Sequence, residues 1–461
     1  MTSAPVTAPV TAPASAATAP VVTIAHHVPF LDQLAARWMA EVGDDPQRTG
    51  AGLILLPSRR AARALTEAFL RRADGRALLL PRIAPIAALD EAALALSGEA
   101  ALDLPPAVEP MRRLATLTLL VLQAGEAFGD VRTVDQAWPL ARALADLMDE
   151  AEWAECDLRE RLPEAADGDF AQHWHLTLKF LSIVTGVWPA WLEEQGVMNP
   201  VARQVALLHA QAAHWRENPP PAGQRLWAAG FSDAVPSTVA VLRTVLDLPG
   251  GRLVLTPVDM DMDARTWSDL PPGHPQAGTA RMLSDLGVGR DDLVVWDDVP
   301  AGCVAGAPPG RAALLSNALL PASALGQWLD PAPAPQLDGL SVLHTADQQE
   351  EAAAIALILR QAIDRPGRPA ALVTPDRALA GRVATELARW GVVADDSAGE
   401  GLATTPQATF LRLIVQAVEG GLSPVALLSM LKHPLAACGL APGNCRASAP
   451  LLVRAVQRGP A

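Results

Sequence analysis

A strand-like run at residues 21–25 (VVTIA) leads through His26, His27, Val28 and Pro29 into a helical pattern that lasts to Val42. Nucleotide-binding proteins hold phosphate at such a strand–turn–helix opening, on backbone N–H groups at the helix N-terminus. The loop needs glycine for close backbone approach and a lysine to meet the charge. This turn has neither. Lys179 and Lys432 are the only lysines in the chain and neither follows a glycine, so a G-x-x-x-x-G-K-[ST] loop is absent. His26 and His27 then mark a degenerate nucleotide-loop position, and as adjacent turn residues they read as polar surface, not metal ligands. A nuclease centre of two carboxylates and a lysine needs an acid two residues before the lysine. Those positions hold Thr177 and Met430.

The second concentration of chemistry is cationic. Seven arginines (59, 60, 63, 71, 72, 76 and 82) stand between residues 59 and 82 against Glu67 and Asp74. Arg59, Arg63, Glu67 and Arg71 share one helical stripe, which taken alone reads as a solvated face with internal ion pairs. Asp259, Asp261 and Asp263 alternate as in a calcium loop. Positions six and twelve of that loop are Ala264 and Leu270 instead of glycine and glutamate, so an acidic loop is the better reading. His173 and His175, two apart on a helix, point to different faces and make a poor metal pair. No metal site is expected.

These residues hang on a recurring device. Residues 52–58 (GLILLPS), 252–259 (RLVLTPVD) and 370–374 (AALVT, then Pro375-Asp376) are apolar runs closed by proline with a small or acidic residue. Two of them lead straight into Arg-started helices, at 59–72 and 377–390, the second with Gly391 as its C-cap. Residues 78–83 (LLLPRI), 226–230 and 341–345 (SVLHT) add candidate strands, and a strand at 392 runs into the acidic turn to 401. Runs buried on both faces between helices make parallel α/β layers, whose ligands sit at the carboxyl ends of the strands. The tract from 105 to 217 has helical stripes instead (Leu114, Leu117, Val121; Trp138, Ala141, Leu144, Met148; Trp174, Leu178, Leu181, Thr185, Trp188), in which tryptophan packs a core. Ser237 is placed to cap a helix over 237–246. Helices are also expected at 405–419 and 423–431.

The 461 residues leave room for two or three domains, and net charge −14 argues against a general nucleic-acid coat protein while allowing a local basic channel. Half the residues are hydrophobic, yet no run approaches a membrane span. Residues 1–20 form a disordered Ala/Pro/Thr tail without signal-peptide character. Four scattered cysteines (156, 303, 438 and 445) without a CxxC pair indicate a reduced, cytoplasmic setting.

The order of these blocks resembles the split architecture of superfamily 1 helicases. Five stretches, GLILLPSRRAARALTEAFL (52–70), HWHLTLKFLSIVTGVWP (173–189), AALVTPDRALAGRVATELARWGV (370–392), DDSAGEGLATTP (395–406) and LLSMLKHPLAACG (427–439), are similar to the AddB subunits of AddAB helicase–nucleases of the alphaproteobacterial type. The resemblance covers nearly everything from Val21 onward. It implies two RecA-like parallel-sheet domains with inserted helical subdomains: a first α/β domain over 21–104 and 218–299, a helical insertion at 105–217, a linker at 300–339, a second α/β domain at 340–402, and the start of a second insertion at 403–461.

The implied function is that of a non-motor subunit that helps process double-strand DNA breaks for recombination and can scan single strands for a hotspot sequence. The implied partners are an AddA subunit, which would use ATP and Mg²⁺, and double- and single-stranded DNA. No cofactor is implied for this chain. The resemblance places DNA contacts at Ser58, Arg59 and Arg60, with Thr374 and Arg377 at the equivalent turn, where Asp376 reads better as a helix cap. Arg82, Arg112 and Arg113 are weaker candidates offered by charge alone. Family members carry a carboxy-terminal nuclease domain, with an iron–sulfur site in some branches. The sequence stops before that region and Cys438 and Cys445 do not match such a cluster, so a truncated, nuclease-free AddB is expected. Two other readings stay open. One is a stand-alone Rossmann-like transferase, for which a glycine-rich turn or paired metal-holding acids would be needed. The other is a structural adaptor that touches no DNA.

Overall fold

Short runs of aliphatic residues build the strands β1 (Val21–Ile24), β2 (Gly52–Leu56), β3 (Arg82–Pro85), β4 (Arg225–Ala229), β5 (Gly251–Leu255) and β6 (Val294–Trp296) of a computed structural model. It describes residues 19–43, 46–88, 104–127, 133–164, 181–221, 223–308, 310–330, 337–365, 370–399 and 401–457. The chain divides into two units, residues 1–339 and 340–461.

In the first unit the six strands form one sheet in the order β3-β2-β4-β5-β1-β6, with every pair parallel. Side chains alternate between two cores, as the two-residue period of a strand demands. Val22, Ile24, Ile54, Leu56, Trp227 and Val254 face helices α1 (Phe30–Val42) and α2 (Arg59–Ala73). Val21, Leu55, Leu226, Leu253 and Leu255 face the other core, shared with later helices. The protein is therefore α/β, with its sheet covered on both sides. Trp38 of α1 meets Trp227 edge-on at 5.0 Å, and its Nε1–H donates to the Thr49 carbonyl at 3.1 Å. Gly52 is required beneath it. A Cβ there would lie 2.6 Å from the Arg225 carbonyl and 2.7 Å from the Trp38 ring.

Between β3 and β4 run helices α3 (Pro110–Ala127) and α4 (Val134–Trp153), a π-helical turn (Ile183–Val187) continued by Trp188–Gln195, and α5 (Pro200–Glu217). Leu117, Val121, Ala141, Leu144, Met148 and Trp188 form the core of all but α5, whose Leu208, Ala212 and Trp215 join the sheet core. Two helices follow, α6 (Pro236–Asp247) after β4 and α7 (Ala277–Leu286) after β5. Both pack on the sheet face opposite α1 and α2.

The second unit contains α8 (Gln348–Ile363), α9 (Arg377–Ala388), α10 (Pro406–Glu419), α11 (Pro424–Lys432) and α12 (Pro442–Gln457). Here the expectation of a second parallel sheet needs correction: among the described residues, 341–345, 370–374 and 392–394 form no strand ladder. Leu372 and Val392 pack against α8 and α9, while their neighbours Val373 and Val393 are 93% and 94% exposed. Burial on both faces, which sustains an apolar parallel strand, is missing. One six-stranded parallel sheet is what the described residues contain.

Smaller corrections also have physical causes. The strand expected at 78–83 lies at Arg82–Pro85; Leu78 and Leu80 pack at the edge of the core, but pairing with β2 starts only beyond Pro81. Ser237 caps nothing. The helix starts one residue earlier, at Pro236, with Val235 at the cap, and the Ser237 hydroxyl is buried without a partner. Ala19 and Pro20, assigned to the tail, are held by β5: the Ala19 carbonyl accepts from Arg252 Nε–H (3.1 Å) and the Pro20 carbonyl from Leu253 N–H (2.8 Å). The rest of the tail, with His173, Trp174, His175 and both lysine-related positions 177 and 179, lies outside the described residues.

Candidate functional site at the carboxyl edge of the sheet

Strands β1 and β5 are neighbours, with Val21 opposite Leu253. The chain leaves β1 through α1 on one face and leaves β5 through α7 on the other. Connections that depart to opposite faces open a crevice at the carboxyl ends of the two strands, the preferred ligand position of an open parallel sheet. His26 and His27 stand at its rim.

The crevice is stitched by the chain itself. Thr23, 1% exposed, donates its hydroxyl to the Thr256 carbonyl at 3.0 Å and accepts from Val258 N–H at 3.0 Å, tying the end of β1 to the end of β5. Ala25 N–H donates to the Trp296 carbonyl and Val28 N–H to the Ala25 carbonyl, both at 3.0 Å. His27 Nε2 lies 3.0 Å from the Asp297 carbonyl, which fixes the tautomer with hydrogen on that nitrogen, and its own carbonyl accepts from Gly306 N–H at 2.8 Å. The segment after β6 is thus laid over the turn. Gln33 and Arg37 of α1 both donate to Asp298, and Arg37 also covers the Trp296 ring at 5.0 Å.

The local charge is unfavourable for a polyphosphate. Asp32 occupies the first turn of α1 and accepts a bidentate pair from Arg71 (3.0 and 3.0 Å). A carboxylate there already takes the favourable end of the helix dipole. Asp297 and Asp298 add two more acids within the same strap.

Beyond β5 the alternating acids are absorbed by backbone. Asp259 accepts from Asp261 N–H and Met262 N–H, both 3.0 Å, and its carbonyl and that of Met262 accept from Arg290 (3.3 and 2.7 Å). Asp263 caps the turn Ala264–Ser268. The Thr266 hydroxyl foremost, then its N–H and Gln327, hold the Asp263 carboxyl well below the usual range, at about 2. Among the described residues no group of three His, Cys, Asp or Glu could hold a metal.

The arginine-rich turn lies at the carboxyl end of β2, three strands from β1 and so roughly 14 Å away at about 4.8 Å per strand. Ser58 is the N-cap of α2, accepting from Ala61 N–H at 3.2 Å, and leaves its hydroxyl hydrogen available. Arg59 and Arg60 follow, both exposed. Arg60 has a contact of its own. The later cations of the helix are committed: Arg63 to Glu67 (3.5 Å), Arg71 to Asp32, Arg72 to the Ala301 carbonyl (3.5 Å) and Arg76 to the Ala73 carbonyl (3.3 Å). The charge-only candidates do not join this turn. Arg82 opens β3 at the opposite, amino edge; Arg112 donates to Gln195 and lies over Trp191; Arg113 is buried and paired with Asp149 (2.8 Å).

In the second unit Thr374 accepts from Asp376 N–H (3.1 Å), and Asp376 caps α9 by accepting from Ala378 and Leu379. Arg377 makes a two-point pair with Asp396 (3.0 and 2.6 Å) and donates to the Gly399 carbonyl (3.1 Å), so it clasps the acidic turn. Asp396 in turn raises the Arg377 pKa.

Sequence reading missed Thr23, Arg290 and Asp298, residues that close this edge. Their partners are far away in the chain, as with Thr23 and Thr256, so no local pattern signals them.

No protein-family model matches the chain, and no curated protein matches it. Among the described residues no helix is long and apolar enough to cross a membrane.

Proposed function

We propose that this chain is a non-motor, helicase-like DNA-binding subunit of an AddAB-type helicase–exonuclease that processes double-strand breaks for recombinational repair in the cytoplasm. An AddA partner supplies ATP hydrolysis with Mg²⁺, and this chain contributes a surface for single-stranded DNA, including one that could scan for a hotspot sequence. The finer reading of the first unit's α/β layer as a RecA-like domain belongs to the same proposal.

The observation that carries it is the β1–α1 turn. It sits at the switch point where a motor domain of this class would seat triphosphate, yet its backbone is bonded to Trp296 and Gly306 and its His27 ring to the Asp297 carbonyl. Asp32, Asp297 and Asp298 lie close to it in the chain or strap. Arg59 supports the DNA-contact part. It stands at the carboxyl edge of the same sheet, exposed, after a serine whose hydroxyl can still donate to a phosphate.

The test is to purify the chain alone and with AddA, then measure ATPase activity and crosslinking to a forked DNA. The proposal expects single-strand binding without ATP hydrolysis by the chain alone, and crosslinks from both subunits in the complex. A DNA-stimulated ATPase in the isolated chain would refute it. A purely protein-binding adaptor is the second reading, favoured by the apolar residues the second unit leaves exposed, Val373, Val393, Leu411 and Val418 among them. Formation of the complex with no crosslink from this chain would select the adaptor.

A further inference from the structure

The end of α4, the π-helical turn at Ile183–Val187 and the start of α5 enclose a cavity of about 360 Å³. That volume falls within the range of about 300–1,000 Å³ typical of small-molecule sites. Met148, Val184, Trp188 and Leu192 give it an apolar wall. Val184 and Thr185 reach the wall from the π-helical turn, a backbone irregularity found frequently at functional sites. Three charged residues among those described also line it. Asp157 and Arg159 are exposed at its mouth and oppose each other in charge. Glu152 is half-buried and shares the wall with the apolar side chains.

The hydrogen bonds around Glu152 leave acceptors for an occupant. Trp188 Nε1–H is spent on Asn199 Oδ1 (3.0 Å), Asn199 Nδ2 on Glu152 Oε1 (2.5 Å) and the Thr185 hydroxyl on the Leu181 carbonyl (3.4 Å). Glu152 Oε2 accepts from Ala202 N–H at 3.1 Å. Capping α5 accounts for that last bond and leaves the cavity unexplained. Each carboxylate oxygen has taken one bond and keeps a lone pair, and the Thr185 oxygen can still accept. Arg113, the cation whose field reaches Glu152, is already paired with Asp149 (2.8 Å) and donates to the Ala145 carbonyl (3.2 Å). Burial outweighs these partners and raises the Glu152 pKa above its ordinary value. An occupant that brings N–H donors and positive charge offsets that burial.

We propose that this cavity binds a small apolar cation carrying an amidinium or ammonium group. Its N–H groups meet the free lone pairs of Glu152 and Thr185, and its apolar body lies against Met148 and Trp188. Ser58 and Arg59 stand on other elements, at the end of β2 and the start of α2. The outcome is therefore independent of the DNA-binding reading.

Cys156 lines the same cavity and is half-buried, as is Cys303 outside it, so the two thiols serve as probe and control. The test alkylates the full chain with iodoacetamide at pH 8 and follows both cysteines by peptide mass. Benzamidine is the probe, and benzamide is its neutral counterpart of nearly the same shape. Saturating benzamidine is expected to slow Cys156 alkylation at least fivefold and to leave Cys303 unchanged, while benzamide protects neither. Glu152→Gln is expected to raise the benzamidine concentration for half-protection by about tenfold or more, the loss of a charge-assisted bond. If Cys303 reacts faster in that variant its fold has loosened, and the wild-type comparison of the two compounds decides. Equal protection by benzamide would mean an apolar hollow without charge recognition, and overturns the proposal. So does an unprotected Cys156, an equal slowing of both cysteines, or full protection retained in a folded Glu152→Gln.

Discussion

Replacing Arg59 tests the DNA-contact reading through a slope. Each phosphate neutralised on a single strand contributes about 0.7 to the fall of log K with log salt. Between about 50 and about 200 mM salt, a fourfold change, one contact therefore multiplies Kd by roughly 2.6. Arg59 is exposed, whereas Arg63, Arg71, Arg72 and Arg76 are already bonded within the protein. Arg59→Ala should therefore flatten the slope by about 0.7. Arg59→Ala with Arg60→Ala should flatten it by at most about twice that, because Arg60 already has a partner to leave. Arg71→Ala is the control. Its charge is matched by Asp32 in a half-exposed pair of the kind worth about 0–1 kcal/mol, so its loss should leave the slope unchanged. Fluorescence anisotropy with a labelled oligonucleotide across five salt concentrations reads all three. An unchanged slope in the double variant, or an equal drop in Arg71→Ala, would refute the assignment.

Three other outcomes follow from the packing. Gly52→Ala places a methyl 2.6 Å from the Arg225 carbonyl and 2.7 Å from Trp38, and should cost about 1–3 kcal/mol in urea unfolding; a wild-type midpoint would show that the Trp38 contact yields freely. Glu152 accepts from Asn199 and from Ala202 N–H, yet burial dominates and raises its pKa above 4.5. A raised carboxyl binds its proton more tightly when folded, so wild-type stability should fall as pH rises from about 4.5 through the folded pKa. Glu152→Gln should remove that pH slope, at a cost near neutrality of about 1–3 kcal/mol because one of the two donors loses its acceptor. Asp263 has the opposite sign: held at about 2 against 3.8, its contribution is present above the ordinary value and lost as pH falls toward 2. Asp263→Asn should flatten the acid limb of an unfolding curve between those values, and an identical limb would remove the cap from the account.

How much of this was legible depends on how far the stabilising partner sits along the chain. The runs VVTI, GLILL and GRLVL read as strands because their whole requirement, apolar faces on both sides and a turn residue at the end, is local. The Asp376 cap is local too, since the N–H groups that donate to it lie two and three residues on. β6 was missed for the opposite reason: three residues flanked by paired acids carry almost no pattern, and Trp296 gains its place from Trp227 at 6.1 Å and from Arg37, both distant in sequence. Arg377 looked free because its acid, Asp396, stands nineteen positions later.

The second unit shows the converse error. Residues 370–374 carry the same local signal as β2, but a strand is made by its neighbours. In the first unit β2 has β3 and β4 beside it and helices on both faces. In the second, Leu372 has one helical layer against it and Val373 meets solvent. Burying a valine side chain contributes about 1.5–3 kcal/mol. Two such residues, Val373 and Val393, left bare on one side forgo an amount comparable with the backbone entropy of ordering three or four residues, at about 1–2 kcal/mol each. A ladder at 370–374 and 392–394 therefore requires an apolar surface laid over Val373 and Val393. Substituting both with threonine in the isolated chain should leave its stability within about 0.5 kcal/mol, as at other solvent-facing positions, and a larger loss would mean that these valines already pack on something within the chain.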